Sequence, residues 1–190
     1  MQSIEIKGTV RAELGKKSTK ALRNEGQVPC VIYGGEENIH FTAAESEFRK
    51  VIYTPNVYII NVNVDGKVYS TILQDTQFHP VKEQLLHADF LQISDEKPVT
   101  VEVPVVLNGF AEGVKAGGKL QLETRKLKVS ALPKNLPDTL DINIDTLGLG
   151  KTIQVGELSF DNIELLNAKN AVVVAVRLTR AARAAQQAGE

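Results

Sequence analysis

Tryptophan is absent from the chain, and cysteine and methionine occur once each among its 190 residues. A single cysteine excludes an internal disulfide and is typical of proteins in a reducing compartment. Long apolar runs are also missing, because the stretch from Ala171 to Val176 is far short of the roughly 20 residues that span a bilayer. The first residues contain neither a basic nor an apolar segment, so we expect no secretory signal. These absences favour a cytoplasmic protein that has no membrane partner.

The composition that remains is that of a folded protein with room for two domains. Hydrophobic residues make up 43% and charged residues 24% of the chain, and its length suits two domains of roughly 100 residues each. A polar segment that ends in a proline, Ser94 to Pro98, separates two apolar regions. We therefore predict domains at residues 1–93 and 99–178, a linker at 94–98, and an Ala-rich tail at 179–190 that forms a frayed helix or no fixed structure.

Strand patterns dominate both predicted domains. Ser3 to Val10 alternates apolar and polar residues, Val28 to Tyr33 is a short apolar run, and Asp65-Gly66 between two β-rich segments signals a two-residue hairpin. In the second half, strands are predicted at residues 99–107, 119–129, 140–144 and 171–177. We predict a mainly β protein with a few short helices, without the β-α-β alternation of a nucleotide-binding parallel sheet.

Two short helices are predicted in the first domain. Ser18 or Thr19 can cap the first helix, and Gly26 is placed to close it in a left-handed conformation. The segment Thr42-Ala43-Ala44-Glu45 has the form of a capping box, and apolar residues then recur at helical spacing up to Pro55. Both helices would lie between strands of one β domain.

Positive charge is concentrated at the start of the chain, although the whole chain has a net charge of −1. Residues 1–23 contain six cations and two carboxylates, which gives this segment a charge of +4. Lys16 and Lys17 would lie at the N-terminus of the first helix, whose free N–H groups attract anions, and Lys20 and Arg23 are spaced to share one helix face. This arrangement suits a phosphate backbone, but the charges alone fit a solvated surface that binds nothing equally well.

Sequence features that could indicate an enzyme are weak. A Gly-Lys-Lys-Ser and a Gly-Lys-Thr segment imitate a phosphate-binding loop, but both lack the second glycine that the motif needs. His79, His87 and Asp89 could form a facial metal site, since residues 87 and 89 share a face in a strand, yet a His–Asp pair on a surface explains them as well. Cys30 lies in an apolar strand, where a thiol is usually inert. We expect neither catalysis nor a metal or other cofactor.

One ordered set of motifs, spread over nearly all of residues 4–178, resembles a known family. The matching residues are Arg11, Gly15-Lys16, Leu22-Arg23, Gly26, Val28-Pro29, Val31-Ile32-Tyr33-Gly34, Gln77, His79-Pro80, His87 and Asp89-Phe90 in the first half, and Val103-Pro104-Val105, Gly109, Gly113-Val114 and Gly117-Gly118 in the second. The family is that of the bacterial large-subunit ribosomal proteins that bind 5S rRNA, numbered twenty-five in that subunit's series, in the long or general-stress form called Ctc.

The resemblance implies a small N-terminal β-barrel that docks on 5S rRNA near its non-Watson–Crick internal loop, followed by an all-β domain that occurs only in long members. It implies RNA contacts at the positions that match the family, which are Arg11, Lys16, Lys20, Arg23, Tyr33, Gln77, His87 and Asp89. It also implies a noncatalytic, structural role on the large ribosomal subunit in the cytoplasm. Neighbouring components of that subunit would be further partners, and the free protein would be a monomer.

The chain departs from the family pattern in the basic helix. Many members have Ser-Arg-Arg-Leu-Arg where this chain has Thr19-Lys20-Ala21-Leu22-Arg23, and lysine cannot make the two-pronged contact of arginine. Either a lower affinity or compensation by Lys17 would follow. An alternative function also stays open, in which the second β domain is a stress-related protein-interaction module and RNA binding is secondary.

Overall fold

The computed structural model describes residues 2–180 of the chain, and these residues are mainly β. They divide into two compact units, the first extending to Val99 and the second beginning at Thr100, with Leu132–Lys134 grouped with the first. Within the described residues, no helix is long and apolar enough to cross a membrane. The predicted Ala-rich tail lies, from residue 181 onward, outside the described residues.

Six strands of the first unit close into a barrel, which confirms the mainly β fold and the barrel that the resemblance implied. The elements of this unit are β1 (Ser3–Val10), α1 (Lys16–Asn24), β2 (Gln27–Tyr33), β3 (Ile39–Ala44), a 3₁₀ helix (Glu45–Phe48), α2 (Arg49–Ile52), β4 (Ile59–Val64), β5 (Lys67–Phe78) and β6 (Leu85–Gln92). The strand order is β1-β3-β2-β6-β5-β4, and pairing of β4 with β1 closes the ring. The β1–β4 and β2–β6 pairs are parallel, whereas the others are antiparallel.

The barrel is filled by the inward-facing side chains of its alternating strands. The rings of Phe41 and Phe48 each pack against Phe90, with centroids 5.6 and 6.2 Å apart, at the spacing that aromatic pairs prefer. Cys30 is fully buried in the same core, and burial raises the pKa of its thiol above the ordinary range. The thiol therefore stays protonated and unreactive, as its place in an apolar strand predicted.

Two tight turns have the backbone conformations that the sequence predicts. Asp65 and Gly66 have φ angles of 48° and 90°, the pair of positive values that a type I′ hairpin between β4 and β5 requires. Gly26 follows α1 with a φ of 75°, which is the left-handed conformation that ends many helices. The hairpin and the end of α1 are therefore fixed by local sequence.

The predicted N-cap of α1 is wrong. The helix begins at Lys16, and Gly15, with a φ of 139°, occupies the cap position. The Ser18 hydroxyl donates to the Glu13 carbonyl at 3.3 Å, and the Thr19 hydroxyl donates to the Gly15 carbonyl at 2.6 Å. Both residues therefore lie inside the first turn of the helix, and no side chain caps its N-terminus.

The predicted capping box at Thr42 to Glu45 is also wrong. Thr42 and Ala44 belong to β3, where Thr42 pairs with Thr9 of β1 and with Pro29 of β2. Pairing on both sides holds this segment extended, so its local helix-start pattern is overridden by tertiary contacts. The helical segment that follows consists of the 3₁₀ turn and the short α2.

The second unit contains two further sheets. Its elements are β7 (Val99–Asn108), α3 (Glu112–Lys115), β8 (Lys119–Leu122), β9 (Lys126–Ala131), a 3₁₀ helix (Pro133–Asn135), β10 (Leu140–Asn143), β11 (Thr152–Gln154), a 3₁₀ helix (Val155–Glu157), β12 (Glu164–Leu165) and β13 (Val172–Arg177). One sheet has the order β10-β7-β9-β12, and the other has the order β11-β13-β8.

The single strand predicted at 119–129 is instead two strands, β8 and β9, which belong to different sheets. Between them the backbone N–H groups of Glu123 and Thr124 both donate to the Val173 carbonyl, at 2.9 and 3.2 Å. The Thr124 hydroxyl also donates to the Val172 carbonyl at 2.8 Å. These contacts to β13 hold the segment between the two strands.

Candidate nucleic-acid interface

Helix α1 gathers three of the predicted contact residues on one face. Lys16, Lys20 and Arg23 are four and three positions apart, a spacing that aligns side chains along one side of an α-helix. Lys16 and Lys20 are exposed to solvent, and Arg23 is partly buried. The helix therefore presents a row of cations, called here the basic stripe, that begins at its N-terminus.

Arg23 fastens the end of the basic stripe to the barrel. Its Nε and Nη2 atoms donate to the Leu86 carbonyl at 3.0 and 2.8 Å, and the Gln84 side chain donates back to the Arg23 carbonyl at 3.2 Å. The Leu86 carbonyl is free because the pairing register passes from Gln77–His87 to Phe78–Leu85 and leaves Leu86 without a partner on β5. This β-bulge in β6 thus provides the acceptor that holds α1 in place.

Arg11 connects the end of β1 to the same helix. Its Nη2 atom donates to the Thr19 hydroxyl at 3.2 Å and lies 3.4 Å from the Glu13 carbonyl. Its Nε atom is buried and has no hydrogen-bond partner among the described residues. Since an unpaired buried donor is costly, an acceptor supplied by a bound partner would stabilise this group.

The outer faces of β5 and β6 bring three more predicted residues side by side. Gln77 pairs with His87, and Asp75 pairs with Asp89. Ala88 and Phe90 point into the core, so the alternating residues His87 and Asp89 point outward. Tyr33 lies on β2, two residues after Val31, which pairs with Asp89 of β6. These side chains form what is called here the polar strand face: Tyr33, Gln77, His87 and Asp89.

His87 and Asp89 are in direct contact. The His87 Nδ1 and Asp89 Oδ1 atoms are 2.7 Å apart, and 27% and 32% of the two side chains is exposed. The contact lacks the alignment of a regular hydrogen bond, so Asp89 Oδ1, although buried, has no hydrogen-bond partner among the described residues. Because Nδ1 faces the carboxylate, Nε2 lies on the opposite edge of the imidazole, where it can meet a ligand.

Tyr33 carries a phenol that remains protonated at neutral pH. Partial burial raises the pKa of Tyr33, and the negative charges of Asp89 and Asp75 raise it further. A protonated phenol can donate as well as accept a hydrogen bond. Tyr33 thus adds a donor to a face on which Asp89 can only accept.

Lys16, Lys20 and Arg23 lie on α1, and Arg11 bonds to Thr19 of the same helix. The other four predicted residues lie on β2, β5 and β6, and the bond from Arg23 to the Leu86 carbonyl joins the helix to β6. Sequence reasoning missed Thr19 as the partner of Arg11, and it missed Asp75, which faces Asp89 and acts on Tyr33. Asp75 could have been found, because it lies two residues before Gln77 and so shares its strand face. Nothing in the sequence pointed to the Leu86 carbonyl.

The geometry does not favour the alternative of a metal site at His79, His87 and Asp89. His79 Nδ1 accepts hydrogen bonds from the backbone N–H groups of Val81 and Lys82 at 3.2 and 3.1 Å, and His87 Nδ1 faces Asp89. Within residues 2–180, no group of three or more His, Cys, Asp or Glu side chains is arranged to hold a metal ion.

The fold and this surface define a class of protein: a two-unit, mainly β protein whose closed barrel carries a basic helix beside a polar strand face. Two family models match the chain. The Ribosomal L25p family matches residues 6–90, and the C-terminal domain of ribosomal protein TL5 matches residues 98–180.

Curated relatives match over nearly the whole length of both chains. The large ribosomal subunit protein bL25 of Bacteroides fragilis is 57% identical over 99% of this chain and 98% of its own. The proteins of the same name from Porphyromonas gingivalis and Parabacteroides distasonis are 56% and 50% identical, over 97% and 100% of each chain. The chain therefore belongs to the bL25 family of large-subunit ribosomal proteins. This membership confirms the predicted family, a non-enzymatic ribosomal protein, and the predicted location on the large subunit in the cytoplasm.

Proposed function

We propose that the chain binds 5S rRNA as a structural component of the large ribosomal subunit, through the basic stripe, Arg11 and the polar strand face. The observation that carries this proposal is the junction at Leu86, where Arg23 anchors the basic stripe beside His87. A continuous surface results, with cations on one side and neutral and acidic hydrogen-bonding groups on the other. Membership of a large-subunit ribosomal family supports an RNA ligand.

The two halves of this surface have different tasks. Lys16 and Lys20 neutralise phosphates, which releases counterions and makes that part of the affinity sensitive to salt. The polar strand face meets the wide, shallow minor groove of an RNA helix, where 2′-hydroxyls and base edges are within reach. Asp89 would be repelled by phosphate, but its carboxylate can accept from the amino group of a guanine or cytosine.

The test is a fluorescence anisotropy titration of the full chain with 5S rRNA transcribed from the Bacteroides fragilis sequence. A second transcript, in which the non-Watson–Crick internal loop is replaced by regular base pairs, serves as the control RNA. We expect tight binding to the first RNA and weaker binding to the second. Absence of binding to either RNA at low salt would contradict the proposal.

Two single variants separate the two halves. Lys20→Ala removes a phosphate contact, so affinity should fall and the slope of log K against log salt should decrease by about one. His87→Ala removes a polar contact, so affinity should fall with an almost unchanged slope. If both variants change the slope equally, the division of tasks is wrong.

A further inference from the structure

The turn between β5 and β6 is built around the imidazole of His79. The backbone N–H of His79 donates to the Gln84 carbonyl at 2.8 Å, and that of Glu83 donates to the His79 carbonyl at 3.0 Å. In addition, the Nδ1 atom of His79 accepts from the N–H groups of Val81 and Lys82, at 3.2 and 3.1 Å. The side chain is thereby held in one orientation by the turn that it stabilises.

These contacts determine where the imidazole carries its proton. A neutral imidazole has one donor nitrogen and one acceptor nitrogen. Because Nδ1 accepts two N–H groups, it has no proton, and the proton must be on Nε2. His79 is therefore a neutral Nε2–H donor, and no acceptor for this donor is found among the described residues.

The place of His79 puts this donor at the border of the candidate interface. It follows directly after β5, which ends at Phe78, and is two residues beyond Gln77 of the polar strand face. It also pairs with Gln84, whose side chain donates to the carbonyl of Arg23 in the basic stripe. His79 is thus next to both halves of the surface, and Lys82 adds a cation to its turn.

We propose that His79 is a further RNA-contact residue, which donates through Nε2 to an oxygen or nitrogen acceptor on the RNA while Nδ1 holds the turn. This inference rests on the proposed function, since it extends the same surface. The acceptor of this hydrogen bond would be a neutral group or a phosphate oxygen of the RNA. Both kinds of acceptor need a donor that points in a fixed direction. The turn provides that orientation before the RNA arrives, so little conformational entropy is lost on binding.

Two substitutions separate the two nitrogens. In His79→Asn, the amide oxygen can replace Nδ1 as acceptor for the N–H groups two and three residues later, as in an Asx turn, but the distal donor is lost. In His79→Gln, the longer side chain can carry an N–H group near the position of Nε2, but the acceptor next to the backbone is lost. Asparagine tests RNA contact in a preserved turn, and glutamine tests the turn itself.

For His79→Asn, we expect slow hydrogen exchange at the Val81 and Lys82 amides to persist. Binding to the Bacteroides fragilis 5S rRNA transcript should weaken about three- to tenfold, the effect of losing one hydrogen bond. For His79→Gln, protection of the same two amides should be lost. Unchanged affinity of the asparagine variant, with its turn intact, would overturn the RNA contact, and unchanged protection in the glutamine variant would overturn the role of Nδ1.

The unsubstituted protein gives an independent test. A long-range ¹H–¹⁵N correlation spectrum of the imidazole should identify the Nε2–H tautomer of His79, and the exchange of that proton should slow when the RNA is added. A proton on Nδ1 would overturn the inference. If the unsubstituted chain does not bind the RNA at all, the proposed function is wrong. If the unsubstituted chain and the asparagine variant bind equally well, only the His79 contact is wrong.

Discussion

At the scale of single residues, Arg23 has two roles that different substitutions can separate. Its guanidinium contributes a positive charge to the basic stripe, and it donates twice to the Leu86 carbonyl. Arg23→Lys keeps the charge but loses the paired donation, because an ammonium group lacks the planar fork of arginine. Arg23→Ala loses both the charge and the bonds.

We expect Arg23→Ala to weaken RNA binding and to decrease the salt slope by about one, whereas Arg23→Lys should weaken binding with the slope preserved. Both variants should lower the free energy of unfolding by about 1 kcal/mol, since each loses the bonds to Leu86. Anisotropy titrations at several salt concentrations and urea denaturation measure these effects. Lys67→Ala is the matched control for lost charge, because Lys67 is exposed beside the Asp65-Gly66 turn, and its affinity should be unchanged.

Tyr33 gives a residue-scale prediction about pH. The pKa of the Tyr33 phenol is raised above its ordinary value of 10.0 in the folded protein. Near that pH, the unfolded chain therefore releases the phenol proton more readily than the folded chain does. The stability that depends on Tyr33 is therefore fully present below the unfolded pKa and is lost as the pH rises through the raised pKa of the folded state. Urea denaturation between about pH 8 and 11 should show a steeper loss of stability for the original chain than for Tyr33→Phe. Equal losses would mean that the phenol of Tyr33 titrates normally.

At the scale of secondary structure, the sequence predicted elements whose determinants are local. β1 and β2 follow from alternation and apolar runs, and the Asp65-Gly66 turn follows from the need for positive φ angles. The N-cap of α1 was predicted wrongly because the helix begins at Lys16, ahead of Ser18 and Thr19. The Thr42 segment was predicted wrongly because Thr42 pairs with residues of β1 and β2 that are distant in sequence. The bulge at Leu86 depends on the register between β5 and β6, which no local pattern encodes.

The same distinction applies to the candidate site. Residue types and spacing pointed to Lys16, Lys20 and Arg23 as one helix face, and to His87 and Asp89 as one strand face. The connection between these two faces, through the bond from Arg23 to the Leu86 carbonyl, could not be derived from spacing. It depends on the parallel pairing of β2 with β6, which joins segments that are far apart in the chain.

The end of α1 provides a prediction at this scale. Gly26 has a φ of 75°, and a Cβ atom at this position would meet nothing within 4 Å. A substitution there is therefore strained by its backbone conformation alone. Gly26→Ala should lower the free energy of unfolding by about 1 kcal/mol, and Gly26→Asn by less, because asparagine tolerates the left-handed conformation. Equal losses in urea denaturation would show that something other than backbone strain limits this position.

At the scale of the whole molecule, charge is distributed very unevenly along the chain. Residues 1–23 have a net charge of +4, whereas residues 24–190 contain 16 cations and 21 carboxylates. A nucleic acid is therefore attracted to the start of the chain and repelled, on average, by the rest. This polarity should orient the approach of RNA toward the start of the chain, and the effect should weaken as salt is added.

The uneven charge and the closed barrel together predict that the first unit is sufficient for RNA binding. The buried core of the barrel comes entirely from residues between Ile6 and Phe90, and ring closure leaves no open sheet edge that would need the second unit.

A variant that lacks residues 98–190 should therefore fold with a cooperative urea transition. It should bind the 5S rRNA transcript within about threefold of the full chain and with the same salt slope. Residues 99–190 alone serve as the control and should not bind. A folded first unit with affinity reduced more than about tenfold would show that the second unit contributes directly to RNA binding.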